Sequence, residues 1–352
     1  MSIFLNSKLS KLEAYTPGEQ PQDKKYIKLN TNESPYPPSQ GVIKAITEQE
    51  IKDLRLYCDP ECKKLKTAMA GLYNLDTENV FLSNGSDDIL NFAFLAFGEN
   101  GVAFPDITYG FYSVFAELHN LKAEIIPLKQ DFTIDTARFM GQNKLVVIAN
   151  PNAPTGISLS LSVIEEIVKS NQNNVVLIDE AYVDFGGESC AELTKKYNNL
   201  LCVGTFSKSR SMAGARLGFA IANAELIADL EKIKYSTNPY NINRLTQAAG
   251  LAAVKENDYY MENCKKIIKN RDFTVSELKN LGFEILPSCA NFIFAKSAKI
   301  DGKELYLKLK EKGVLVRHFE SIRIKDFNRI TIGSIEEMQS FIQKVKEILG
   351  EL

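Results

Sequence analysis

The chain contains no tryptophan and only two histidines, His119 and His318, among 352 residues. A multi-histidine metal centre or a Ser-His-Asp triad is therefore poorly supplied, and a general base is expected to be some other residue. The six cysteines are too few and too scattered for a disulfide framework. Cys58 and Cys62 lie close in sequence, but a zinc site there would need two more ligands from distant segments, so no metal is expected. No apolar stretch approaches the roughly 18 residues that a spanning helix needs. Met1 to Tyr15 carries Lys8, Lys11 and Glu13 in place of the unbroken apolar core of a signal peptide, and a cytoplasmic location is expected. A net charge of -2 gives no reason to expect nucleic acid or a membrane as partner. Neither G-x-G-x-x-G nor G-x-x-x-x-G-K-[ST] occurs, so a nucleotide enzyme would lack its phosphate loop.

What is present is ordinary globular material, 45% apolar and 24% charged, in a length that suggests two domains. Pro17, Pro21, Pro35, Pro37 and Pro38 mark an extended N-terminal arm over residues 1–39. From residue 40 short apolar runs alternate with helical ones. The strand candidates are Val80 to Leu82, Val102 to Phe104, Glu124 to Pro127, Leu145 to Ala149, Val175 to Ile178, Leu201 to Val203 and Gly218 to Ile221. Asp87 to Phe97 and Leu161 to Asn171 read as helices between them. Continuous apolar strands between helices predict a mostly parallel sheet covered on both faces, with any ligand outside the strands' carboxyl ends. Residues 40–245 are expected to form this large domain. Residues 246–352 change to an α+β pattern and predict a smaller domain that the arm completes. Helices are predicted near Asn243 to Lys255, Asn257 to Leu281, Lys303 to Lys312 and Ile335 to Leu349, and strands at Phe292 to Ala295, Val314 to Arg317 and Arg329 to Ile332.

Around Lys208 the sequence places an unusual set of neighbours. Asp179 and Tyr182 close the apolar run before it, Thr205 and Ser207 flank it with hydroxyls, and Arg216 follows. Each residue has an ordinary use alone: a solvated lysine, an N-capping aspartate, a core tyrosine. Together they match what pyridoxal 5'-phosphate (PLP) demands. Its aldehyde needs an amine, its pyridine nitrogen an anion, its phenolic oxygen a donor, and its phosphate an arginine with hydroxyls. Gly85-Ser86-Asp87 ends a strand and opens a helix, where backbone amides bind phosphate and glycine permits close approach.

Further segments stand in order along the chain: Leu29-Asn30-Thr31-Asn32-Glu33, Tyr57-Cys58-Asp59-Pro60, Thr108-Tyr109-Gly110-Phe111-Tyr112, Asn150-Pro151-Asn152-Ala153-Pro154-Thr155-Gly156, Ala290-Asn291-Phe292 and Arg329-Ile330-Thr331-Ile332-Gly333. With Asp179-Glu180-Ala181-Tyr182 and Ser207-Lys208 they resemble the fold-type I PLP aminotransferases, and within them the histidinol-phosphate aminotransferase family of histidine biosynthesis. The resemblance runs from Tyr15 to Gly333. It implies a large domain with a mixed, mostly parallel seven-stranded sheet between helices. It further implies Lys208 as the cofactor-linked amine, Asp179 at the pyridine nitrogen and Tyr182 at the phenolic oxygen. Tyr109 would stack on the ring, and Gly85, Ser86, Asp87, Thr205, Ser207 and Arg216 would form the phosphate cup. Asn152 would donate to the phenolic oxygen, one step before the usual place of that asparagine, where Ala153 stands. Arg329 and Arg317 would bind substrate anions, with Tyr15 and Asn32 closing the mouth. Tyr57 would reach the phosphate of a neighbouring subunit, making a homodimer the active unit.

The implied reaction exchanges an amino group between glutamate and imidazole-acetol phosphate. Two rivals keep the fold and differ in the pocket, an aromatic-amino-acid aminotransferase and a threonine-phosphate decarboxylase. A regulatory PLP-binding module would need an extra domain or basic extension that the sequence does not show.

Overall fold

The computed structural model describes residues 4–9 and 12–351. Its larger sheet has seven strands in the spatial order Val80–Ser83, Gly218–Ala222, Leu200–Thr205, Val176–Asp179, Leu145–Ala149, Val102–Pro105 and Ala123–Ile126. Only Gly218–Ala222 runs antiparallel to its neighbours. The middle strands carry no polar alternation because both faces are covered. Helices Ser86–Phe97 and Ala224–Thr237 pack on one face, and Leu161–Ser170 with the turn Thr136–Phe139 on the other. The seven strands predicted from the sequence are these seven.

The second sheet is antiparallel and four-stranded, ordered Arg317–His318, Asn328–Thr331, Phe292–Ser297 and Phe283–Ile285. Helices Asn257–Asn280 and Ile335–Gly350 pack with it, and Ser334 and Glu337 form a capping box at the start of the latter. Gly282, at φ +89°, terminates the long helix in the left-handed region. The arm enters the fold as a strand, Ile27–Lys28 pairing in parallel with Val314–Leu315. The single strand expected from Val314 to Arg317 is therefore two. Leu315 ends the pairing with the arm, Val316 turns inward, and Arg317 begins pairing with Arg329. The expected boundary at residue 246 falls inside helix Arg244–Lys255, which packs with Leu65, Met69 and Leu217 on the side of the large sheet.

The carboxyl ends of the parallel strands, at Pro105, Ala149, Asp179 and Thr205, share one edge of the sheet. Ser83 ends there too, and Gly218 begins there, because its strand runs the other way. At this edge the turn at Gly85 lies directly on Gly218. A methyl group on Gly218 would meet the Gly85 carbonyl carbon at 2.3 Å and the Ser86 nitrogen at 2.4 Å. Gly71, in helix Lys63–Leu72, has nothing within 4 Å of that position. Urea unfolding is expected to show Gly218→Ala destabilised by about 1–3 kcal/mol through backbone overpacking. Gly71→Ala is expected to be stabilised by roughly 0.5–1 kcal/mol.

Candidate active site

A cavity of about 190 Å³ opens at this strand edge. Ser86, Asp87, Tyr109, Ala153, Asp179, Tyr182, Thr205, Ser207, Lys208 and Arg216 line it, joined by Thr31 and Glu33 from the arm. Residues far apart in sequence meet here because each stands at or just beyond the end of a strand.

Lys208 sits in the loop between Leu200–Thr205 and Gly218–Ala222. Phe206 and Met212 anchor that loop in the core. Arg210 pins it from outside, donating to Asp184 at 3.1 Å and to Asn257 at 2.8 Å. The loop is thus held at both sides of the lysine. Lys208 Nζ donates to the Thr31 carbonyl at 3.1 Å and lies 5.8 Å from the centre of the Tyr182 ring.

Asp179 ends its strand buried in the fold, with no cation bonded to it among the described residues. One carboxylate oxygen accepts from Tyr112 Oη at 2.8 Å and the other from the Ala181 amide at 3.1 Å. Burial pushes its carboxyl up to about 6 against the pull of those two donors. A buried anion without a countercharge is the partner that a protonated pyridine nitrogen requires. Tyr112 is a contributor that the sequence reading passed over. Its place three residues after Tyr109, at the start of helix Phe111–Leu118, was the available signal.

The phosphate cup has donors to spare. Helix Ser86–Phe97 begins at Gly85 with no side chain capping its first amides. Gly85 has φ +86°, and a methyl group there would strike the Arg216 guanidinium at 2.6 Å. Arg216 donates to Asp87 Oδ2 at 3.0 Å, while Tyr109 Oη donates to Asp87 Oδ1 at 2.8 Å. Asp87 therefore sets both the arginine and the aromatic ring. Ser207 Oγ reaches Arg216 only at 3.5 Å, and Thr205 Oγ1 accepts the Ser207 amide at 3.1 Å. Uncapped amides, two hydroxyls and an arginine around one cavity fit a phosphate.

Other expected residues stand elsewhere. Asn152 does not line the cavity: its side-chain amide donates to the Ile107 carbonyl and the Thr155 hydroxyl, and its oxygen accepts from Thr108. With one donor on Ile107 and the other on Thr155, it has none for a phenolic oxygen, and Ala153 presents a methyl group in its stead. Asn32 is also withdrawn from the mouth, only 1% exposed and turned to Tyr182. Tyr57 is 81% exposed and stacked on Tyr240 at 4.5 Å, away from the cavity of its own chain.

Tyr15, Arg317 and Arg329 gather on the arm side, next to the cavity lining and not within it. Tyr15 stacks on Phe111 at 4.2 Å and stands 6.3 Å from Tyr109. Arg317 donates to the Pro17 and Thr16 carbonyls, and Arg329 donates to the Asn30 carbonyl while its buried Nε bonds nothing. Burial pulls the Arg329 guanidinium below its ordinary value, and the like charge of Arg317 adds to the effect. Two guanidiniums held near one another, one with a buried N–H that has no partner among the described residues, have the chemistry to hold an anion. Glu33, which the sequence reading left without a role, lines the cavity under bonds from Lys28 and Thr31.

Known proteins share the sequence and the fold of this chain. The family described as aminotransferase class I and II matches residues 24–345. A histidinol-phosphate aminotransferase of Brachyspira hyodysenteriae is 54% identical over 352 residues, spanning 99% of each chain. Among solved structures, the histidinol-phosphate aminotransferase of Sinorhizobium meliloti in complex with pyridoxal-5'-phosphate superposes with a TM-score of 0.86 at 22% identity, covering 99% of this chain and 100% of that one. The L-threonine-O-3-phosphate decarboxylase of Porphyromonas gingivalis gives 0.81 at 20% identity, covering 92% and 99%. These two similarities establish the shared fold, and the second shows that the fold alone does not choose the reaction.

Protonation of the Asp179 carboxyl is linked to folding. Its folded value of about 6 lies above the ordinary 3.8, so the ionised form is disfavoured by folding. Its contribution to stability is full below about pH 4 and lost as pH rises through about 6. Asp179→Asn keeps an acceptor for the Ala181 amide and removes the titration. Cofactor-free Asp179→Asn is expected to gain on the wild type by about 2–3 kcal/mol between pH 4 and pH 7.5, measured by urea melts.

Proposed function

The chain belongs to the class I and II aminotransferase family, and on that premise we propose that it exchanges an amino group between glutamate and imidazole-acetol phosphate, with PLP as carrier, in histidine biosynthesis. The products are 2-oxoglutarate and L-histidinol phosphate. The observation that carries this reading is one cavity lined by an amine, a buried carboxylate and a helix start with hydroxyls and an arginine, in a chain 54% identical over 352 residues to a histidinol-phosphate aminotransferase.

When bound, PLP supplies an electron sink that lets the carbon bearing the amino group lose and regain a proton. Everything else is work for the chain. The Ser86 and Asp87 amides, Ser207 and Arg216 hold the phosphate, and the Asp87 bridge keeps Arg216 aimed. Asp179, fixed by Tyr112 and Ala181, keeps the pyridine nitrogen protonated. Tyr109 covers the ring and excludes water. Lys208 Nζ, drawn toward the arm by Thr31, carries the proton that leaves and returns. Tyr182 donates to the phenolic oxygen. Arg329 and Arg317 take the anion of either substrate, since carboxylate and phosphate both offer paired oxygens to a guanidinium.

A homodimer goes with this reading. Ile43, Ile51, Leu54 and Leu56 are each about half exposed on the same stretch that presents Tyr57. An apolar face of this kind suits a second copy of the chain, which would bring Tyr57 to the neighbouring phosphate. A cytoplasmic location also goes with it, all six cysteines being free thiols.

Two measurements test the proposal. Purified protein is expected to be yellow, and L-histidinol phosphate is expected to convert the bound chromophore to its amine form. Conversion by phenylalanine or tyrosine but not by histidinol phosphate, or carbon dioxide release from threonine phosphate, would overturn the substrate assignment. Borohydride is expected to fix the cofactor at Lys208, identified by peptide mass, and Lys208→Ala to lose turnover by at least about a thousandfold. Near-normal turnover in that variant would remove Lys208 from the mechanism.

A further inference from the structure

We infer that Asn32 is a positioning residue that turns the Tyr182 hydroxyl proton into the cavity, supplying from the arm the polarity that Ala153 cannot. The inference rests on the aminotransferase reading above and assigns a role to a residue that the sequence reading placed against the substrate. Asn32 Nδ2 lies 3.0 Å from Tyr182 Oη, with both groups buried. An amide N–H can only donate, so the phenol oxygen accepts here. This is the sole hydrogen bond of Tyr182 Oη among the described residues. Its own proton is therefore free to point into the cavity that Tyr182 lines. A phenol that accepts one bond is also polarised to donate another more strongly.

The direction of the Asn32 amide is set by its surroundings. Thr331 Oγ1 accepts the Asn32 backbone N–H at 2.9 Å and donates to Asn32 Oδ1 at 3.0 Å. With Oδ1 on Thr331, Nδ2 faces Tyr182. The Asn32 backbone, at φ +57°, is further held by Asn291, whose side-chain amide donates to the Asn32 carbonyl at 2.9 Å. Had the amide the opposite sense, Oδ1 would take the Tyr182 proton and leave none for the cavity. The ionisable groups facing Tyr182 are Lys208, Arg329, Asp87 and the phenols of Tyr15, Tyr109 and Tyr112, and none of them bonds its oxygen. Asn152 is committed to Ile107, Thr108 and Thr155, so among the described residues it is Asn32 that sets the polarity of the Tyr182 hydroxyl.

The test is Asn32→Asp in the PLP-loaded enzyme, an isostere whose carboxylate can only accept. Losing a donor at the phenolic oxygen destabilises its anionic form, so the bound chromophore holds its proton to higher pH. The absorbance titration is expected to shift upward by about one pH unit or more, a tenfold change in proton affinity. Tyr182→Phe is expected to shift it similarly, and the double variant to shift it no further than either alone. Asn32→Ala and Thr331→Val, with folding checked by circular dichroism and thermal melts, are expected to give smaller shifts in the same direction. A wild-type titration in folded Asn32→Asp and Asn32→Ala, even with reduced activity, would reduce Asn32 to a packing role and overturn the inference alone. Additive shifts in the double variant would also overturn it. Wild-type protein that takes up no PLP would overturn both this inference and the aminotransferase reading.

Discussion

The structure turns on one costly arrangement, a carboxylate at the end of a central strand with no positive charge to meet it. Asp179 can stay in place only because the Tyr112 hydroxyl and the Ala181 amide each occupy one of its oxygens. Even so its proton affinity is raised, which means that folding works against the charge. A cationic ring nitrogen would relieve that penalty, and the cavity in front of Asp179 has the lining to hold such a ring. The sheet bears the penalty because its interior strands are packed on both faces and bring ample apolar burial to the balance.

Around that carboxylate the chain uses close backbone approach where a side chain would be in the way. Gly218 lets the Gly85 turn rest on the neighbouring strand, and Gly85 lets Arg216 lie across the turn. Asp87 then does two things at once, setting Arg216 at one oxygen and Tyr109 at the other. An arginine anchored through a carboxylate keeps its geometry without a ligand and loses less freedom when a phosphate arrives.

The arm links the two sheets. Residues 29–32 hydrogen-bond to Leu315, Arg329 and Thr331 on one side, and reach Lys208 and Tyr182 on the other. Strand Asn328–Thr331 carries Arg329, which bonds the Asn30 carbonyl, and two residues later Thr331, which holds Asn32, so one strand fixes the arm at two points. Arg323 adds a second clamp, donating to Asp106 and to the Leu128 and Lys129 carbonyls across the same division.

The sequence by itself determined the large sheet and most of the residues that meet in the cavity at its edge. Apolar runs mark strands buried on both faces whatever their order in space, and Lys208, Asp179, Tyr182 and Arg216 are recognisable by residue type and by position at the ends of those runs. The tertiary structure decided everything that depends on which way a side chain turns. Asn32 and Asn152 read alike as polar residues near a site, but one amide points to Tyr182 and the other to Ile107 and Thr155, because Thr331, Ile107 and Thr155 lie where they do. Tyr112 offered only its spacing from Tyr109, and Glu33 and the Thr31 carbonyl gave no signal that separates them from packing or surface residues. Hydrogen-bond direction depends on partners tens or hundreds of residues away, and the order of residues along the chain does not contain it until the fold has brought those partners together.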